Sequence, residues 1–172
     1  ELQNAIDHTP ETCEAALIGY GLCSNGLVGI EARDKPLVVP RAHDCITFLL
    51  GSKKRYREYF DAHPGTYWYS PGWIDTHTQP GQKRYEDTYR QYVETYGEEN
   101  AEYLMQMEQA WMSNYSNAAY VDLNVGETEA YRQYTRECAD WLKWRHDILE
   151  GDPSLVQRLV EGQWNEEDFL VV

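Results

Sequence analysis

Short apolar runs alternate with helical patterns along this chain, and this alternation limits the possible folds more than any other feature. Runs rich in apolar, β-branched or aromatic residues that end at a turn residue predict strands. Five segments have this character: residues 15–20, 37–39, 66–70, 118–123 and 168–172. The spacing of apolar residues predicts helices in six other segments: residues 46–50, 52–62, 83–97, 98–113, 128–150 and 154–160.

Because strands that alternate with helices are usually connected in parallel, the pattern predicts an α/β fold. We expect a single domain over residues 1–172, with three layers and a mainly parallel, Rossmann-like sheet. Residues 72–81 are expected to form an irregular loop. The chain opens with Leu2, Ala5 and Ile6 at helical spacing, so we expect a further segment upstream of it.

The charge balance argues against two classes of partner. The chain has 15 lysine and arginine residues against 29 aspartate and glutamate residues, a net charge of −14 at pH 7. Such a surface repels nucleic-acid phosphates and anionic lipid headgroups. No apolar stretch reaches the ~18 residues that cross a bilayer. We therefore expect no nucleic acid and no membrane among the partners, whereas the oligomeric state is not decided by the sequence.

Cysteine usage points to a reducing compartment. The chain has four widely spaced cysteines, Cys13, Cys23, Cys45 and Cys138, and no signal-peptide pattern at its start. This spacing is unlike that of small secreted domains held together by disulfides. We therefore expect a cytoplasmic protein. Cys138 lies on a helical stripe of tyrosine and tryptophan, where a core cysteine is expected, and no role is predicted for Cys13.

Polar and sulfur-bearing residues follow the predicted strands at the points where sites form in open parallel sheets, their carboxyl ends. The residues after the first strand include Cys23 and Asn25. Those after the second strand are Arg41, Ala42, His43, Asp44 and Cys45, and Trp73 follows the third. This coincidence is the strongest functional signal in the sequence.

The set Cys23, His43 and Cys45 has the ligand types of a zinc or other soft-metal site with one open position. Two alternatives remain: the thiols are inert core or hydrogen-bonded groups, or Cys23 and Cys45 form a redox pair. Around the set, Asp44 is expected to orient His43, and Arg41 to bind an anion or pair with Asp44. Asn25 and Trp73 complete the expected pocket wall.

A set of motifs extends over nearly the whole chain: GYGLCSNGL at 19–27, PRAHDCI at 40–46, LGS at 50–52, PGTY at 64–67, GW at 72–73 and the tail over 141–172. With these motifs the chain resembles a family named domain of unknown function 1638. The resemblance implies an upstream strand and helix, often with another cysteine. It also implies an origin in anaerobic bacteria or methanogenic archaea, often beside corrinoid-dependent methyltransferases.

These implications lead to three functional hypotheses. The first is a metal-binding protein of corrinoid one-carbon metabolism, in which a zinc-held thiolate takes part in methyl or thiol transfer and the site contacts a corrinoid or a small-molecule ligand. Zinc methyltransferases that act on thiols use a similar His-x-Cys pair, although they are TIM barrels and this chain is too short to form one.

The second hypothesis is a non-enzymatic partner or chaperone of corrinoid methyltransferases, docking through residues 85–115. The third is a thiol redox protein. The sequence does not decide whether the protein is an enzyme.

Overall fold

The structure is a computed structural model that describes residues 1–23 and 25–172. The chain divides into two compact units, Glu1–Glu58 with Gly151–Val172, and Tyr59–Glu150. Each unit contains one three-stranded sheet together with helices, so the prediction of an α/β chain is confirmed. The three-layer, Rossmann-like arrangement and the single domain stay predictions.

The first unit is built around a small mixed sheet. Its helices and strands are α1 (Leu2–Asp7), β1 (Ala16–Leu17), β2 (Leu37–Pro40), α2 (Cys45–Leu50), α8 (Ser154–Val160) and β6 (Phe169–Val171). Helix α3 (Lys53–Ala62) begins in this unit and continues into the second. Strand β2 is central, parallel to β1 and antiparallel to β6. Its side chains alternate between two buried clusters, one around Val38 and Phe169 and the other around Leu37 and Ile18.

The second unit is built around a fully parallel sheet. Its helices and strands are β3 (Thr66–Tyr69), α4 (Pro71–Thr76), α5 (Gln82–Tyr96), α6 (Glu98–Ala110), β4 (Asn117–Asp122), α7 (Thr128–Leu142) and β5 (Arg145–Glu150), with a 3₁₀ turn at Trp111–Asn114. Strand β4 lies between β3 and β5 and is buried along its whole length. Tyr69, Tyr120 and Cys138 form the core between this sheet and α7.

Two local predictions are wrong. The helix expected over 128–150 ends at Leu142, because Lys143 takes a left-handed conformation (φ 61°) and the Trp144 N–H bonds back to the Ala139 carbonyl at 2.9 Å. Residues 145–150 then pair with β4 as strand β5. The loop expected over 72–81 contains helix α4, which begins at Pro71, a residue suited to the first helical turn.

In the described ranges 1–23 and 25–172, no helix is long and apolar enough to cross a membrane.

The carboxyl end of β4 carries an ion pair that we expect to be important for stability. Asp122 is only 2% exposed, and it accepts hydrogen bonds from Arg132 Nε at 2.7 Å and from the Asn124 backbone N–H at 2.8 Å. Replacement of Arg132 by methionine would leave a buried carboxylate without its cation. We expect the free energy of unfolding to fall by about 3 kcal/mol, measured by urea denaturation at pH 7.

The control is Arg136→Met, which removes an exposed arginine from the next turn of α7. We expect it to change the free energy of unfolding by less than about 0.5 kcal/mol. Equal effects of the two substitutions would contradict the assigned role of the Asp122–Arg132 pair.

Candidate functional site

The loops that follow β1 and β2 lie against each other in the first unit. The Leu22 backbone N–H donates to the Ala42 carbonyl at 3.1 Å. A Cβ atom added at Gly21 would lie 2.7 Å from both the Cα and the carbonyl carbon of Asp44, which is closer than real Cβ contacts allow. Glycine at this position therefore lets the two backbones approach, and the approach brings Cys23 towards the loop that carries His43 and Cys45.

Both thiols of the predicted site are free and belong to exposed residues. Burial of its sulfur, the Asp44 carboxylate and the neighbouring Cys23 thiol together raise the pKa of the Cys45 thiol. Ser24, which follows Cys23, lies outside the described residues.

His43 is held from two sides although its side chain is 71% exposed. Its Nδ1 lies 3.1 Å from Asp44 Oδ2, and its ring stacks on Tyr56 with centroids 5.7 Å apart. A carboxylate at Nδ1 favours the tautomer with the proton on that nitrogen, which leaves the Nε2 lone pair available to a ligand. The contact between Asp44 and His43 is one of the two that the sequence allowed for Asp44, and the functional roles of both residues stay predictions.

Asp44 has two further partners, which fix its position. Its Oδ1 accepts a hydrogen bond from the Thr47 backbone N–H at 3.1 Å and so caps the start of α2. Burial, together with a hydrogen bond to Asp44, raises the pKa of the Tyr56 hydroxyl. One carboxylate therefore sets the start of a helix, the orientation of an imidazole and the position of a tyrosine.

The other three predicted site residues, Arg41, Asn25 and Trp73, lie in different segments of the chain. Arg41 directs Nε to the backbone carbonyls of Glu166 and Phe169, at 3.1 and 3.3 Å, so part of its guanidinium tethers the loop that precedes β6. Asn25 is exposed and has a left-handed backbone (φ 53°). Trp73 lies in α4 of the second unit, where its ring stacks on His77 with centroids 4.0 Å apart.

The donor types of the first unit suit a soft metal, but the donors are not assembled around one point. Over residues 1–23 and 25–172, no group of three or more histidine, cysteine, aspartate or glutamate side chains is arranged to hold a metal ion. The structure thus brings together the loops that carry Cys23, His43 and Cys45 without forming a tetrahedral site.

The helical region proposed for docking is only partly buried. No residue of α5 is buried, and Tyr85 and Tyr89 are half-buried and stacked on each other at 6.4 Å. On α6, by contrast, Tyr103 and Met107 are 63% and 60% exposed.

A second group of chemically active side chains lies in the second unit, and the sequence analysis did not identify it. Asp75, His77, Lys83 and Tyr134 line one cavity of about 300 Å³ after β3. Their spacing along the chain matches no motif, because they come from α4, the loop after it, α5 and α7. The only local signal is that Asp75 and His77 follow the predicted strand at 66–70, as residues at a strand exit.

The comparisons with known proteins identify one family. The family model described as protein of unknown function (DUF1638) matches residues 1–160. No curated protein and no solved structure matches the chain.

The raised pKa of Cys45 predicts slow alkylation of this thiol. At pH 8 less of it is ionised than of a cysteine in a short peptide, so iodoacetamide should react with Cys45 more slowly than with the peptide. Asp44→Asn keeps an oxygen that can cap α2 but removes the negative charge beside the sulfur. We expect this substitution to increase the alkylation rate by about threefold, measured by mass spectrometry of the modified peptide.

The control for this measurement is Asp34→Asn, which removes an exposed carboxylate of the same unit that does not contribute to the raised pKa. A rate that rises equally in both variants would show that the net charge of the protein, rather than Asp44, controls the Cys45 thiol.

Proposed function

From the premise that this chain belongs to the DUF1638 family, whose model matches residues 1–160, we propose that it is a cytoplasmic metal-binding protein of anaerobic one-carbon metabolism. The proposed ligands are Cys23, His43 and Cys45, and the proposed metal is zinc or another soft transition metal. One observation carries the proposal: two free cysteines and an imidazole oriented by a carboxylate lie on adjoining segments after β1 and β2.

The chemistry of the donors supports this assignment. Thiolate and neutral imidazole are the ligands that zinc prefers, and three of them leave one coordination position for a substrate. Asp44 already supplies the hydrogen bond at Nδ1 that a metal-bound histidine usually makes with its second nitrogen. When bound, zinc would hold a thiolate as a nucleophile at neutral pH.

Methyl or thiol transfer is the reaction that this chemistry would serve. The corrinoid context, with a corrinoid protein or methyltransferase as partner, rests on the family resemblance described above. In this proposal Arg41, Asn25 and Asp44 surround the thiols. Arg41 anchors its loop through Nε, and its terminal nitrogens would bind an anionic group of a small ligand.

A second candidate function is that of a thiol redox protein using the same two cysteines. The observation that favours it is that Cys23 and Cys45 are free and follow adjoining strands, while no group of three or more metal-ligating side chains is assembled among the described residues. In this function a peroxide accepts the two hydrogens and two electrons of the Cys23 and Cys45 thiols. The products are one disulfide and, from hydrogen peroxide, two molecules of water.

A third candidate is a docking role for residues 85–115, as a partner or chaperone of methyltransferases. The exposure of Tyr103 and Met107 on α6 favours it.

Metal content tests the first proposal directly. Protein purified without oxygen and loaded with zinc should retain about one metal ion per chain after dialysis, measured by mass spectrometry. Cys23→Ser and Cys45→Ser should each reduce the retained metal by about tenfold, whereas Cys13→Ser should leave it unchanged. Because the pKa of Cys45 is raised, protons compete for its sulfur, and metal retention should fall as the pH is lowered.

Two outcomes would contradict the metal proposal: no retained metal in any preparation, or retention that Cys45→Ser does not alter. Treatment with one equivalent of hydrogen peroxide then tests the second candidate. A Cys23–Cys45 disulfide found in peptide mapping, and absent from both serine variants, would support a redox function.

A further inference from the structure

The cavity of the second unit is lined by residues that are distant in sequence from the thiol site. Their side chains suit a different kind of ligand. It has a volume of about 300 Å³, at the lower end of the range for small-molecule sites. It opens beside the segment that follows β3, one of the three parallel strands of this unit. Its walls carry a carboxylate (Asp75), an imidazole (His77), an ammonium group (Lys83) and a phenol (Tyr134).

The hydrogen bonds of Thr76 determine the tautomer of His77. Thr76 Oγ1 lies 2.6 Å from the Gly72 carbonyl oxygen and 2.8 Å from His77 Nδ1. A hydroxyl has one hydrogen, and a carbonyl oxygen can only accept, so Thr76 donates to Gly72. It must then accept a hydrogen bond from His77 Nδ1–H. His77 Nε2 is therefore left with a free lone pair on a ring that is held against Trp73.

Asp75 is held in place by a neighbouring hydroxyl. The Tyr131 hydroxyl oxygen lies 2.9 and 3.1 Å from the two carboxylate oxygens of Asp75, and it donates its one hydrogen to this carboxylate. This hydrogen bond, together with burial, raises the pKa of Tyr131, as expected for a phenol that faces an ionised carboxylate. Each Asp75 oxygen keeps a lone pair with which it can accept a further hydrogen bond.

The positively charged residue that lines the cavity is Lys83 of α5. Lys83 is in the first turn of this 15-residue helix and forms an ion pair with Asp87 at 2.5 Å. Of the residues in this first turn, Lys83 lines the cavity, and it is the residue that brings positive charge to it.

From this arrangement we infer that the cavity binds a small zwitterion of the α-amino-acid class. The ammonium group of the ligand donates to Asp75 and to His77 Nε2, and its carboxylate meets Lys83, which would exchange its exposed ion pair with Asp87 for the ligand. A purely anionic ligand would be repelled by Asp75, and a purely cationic one would gain no contact with Lys83. A ligand that carries both charges meets an opposite charge on each side.

The test uses the full chain and a panel of the common α-amino acids, each titrated singly and followed by NMR and calorimetry. We expect saturable binding of at least one amino acid, with chemical-shift changes at the His77 ring. The matching amine without the carboxylate, and the matching carboxylate without the ammonium group, should each bind about tenfold more weakly.

Three variants locate the site. Asp75→Asn keeps the hydrogen bond from Tyr131 but loses the charge, Lys83→Gln loses the ammonium group, and His77→Gln loses the imidazole acceptor. Each should weaken amino-acid binding by about tenfold. The matched control, Lys143→Gln, removes a lysine at the end of α7 that does not line this cavity and should leave binding unchanged.

Three results would overturn the inference. The first is the absence of saturable binding with every amino acid, and the second is equal affinity for the amino acid and for either singly charged analogue. The third is binding that none of the three cavity variants weakens. None of these results depends on the thiols of the first unit, so the test is independent of the proposed metal function.

Discussion

The candidate site of the first unit depends on the close packing of one glycine against one aspartate. Gly21 has no side chain, and the Asp44 backbone occupies the space that a Cβ would need. This approach joins the loop after β1 to the loop after β2. Asp44 then uses its carboxylate to cap α2 and to orient His43, and it is also hydrogen-bonded to Tyr56. Helix formation and the orientation of a potential ligand are therefore coupled through one residue, because the same carboxylate serves both.

Each of the two units orients a histidine ring by the same two kinds of contact. His43 is oriented by a carboxylate and His77 by a hydroxyl, in each case at Nδ1, and each ring also stacks on an aromatic side chain. An imidazole that is bonded at one nitrogen and stacked on its face loses little further freedom when a ligand binds the other nitrogen. Both histidines lie in segments that follow strands, where backbone turns bring side chains from different elements together.

The secondary structure was largely predictable because its signals are local. The positions of β2, α3, β3 and α8 follow from short apolar runs, caps and the spacing of apolar residues. The helix expected through residue 150 was wrong because helical spacing alone does not show that residues 145–150 pair with β4. Strand pairing depends on a partner distant in sequence, and the left-handed turn at Lys143 has no glycine to mark it. Pro71 is a residue typical of a helix start, and the prediction of a loop over 72–81 did not take it into account.

The sequence by itself determined which chemical groups follow the strands: the thiols, the imidazole, Arg41 and Asp44. It also determined the acidic surface, and its motifs indicated the family to which the chain belongs. Only the tertiary structure decided which distant groups meet: Gly21 with Asp44, Asp75 with Tyr131, and Arg41 with the Glu166 carbonyl. The physical reason is that residue type and local periodicity are properties of short segments. Close approach and the choice of a distant hydrogen-bond partner depend on atoms that several elements of the fold bring together.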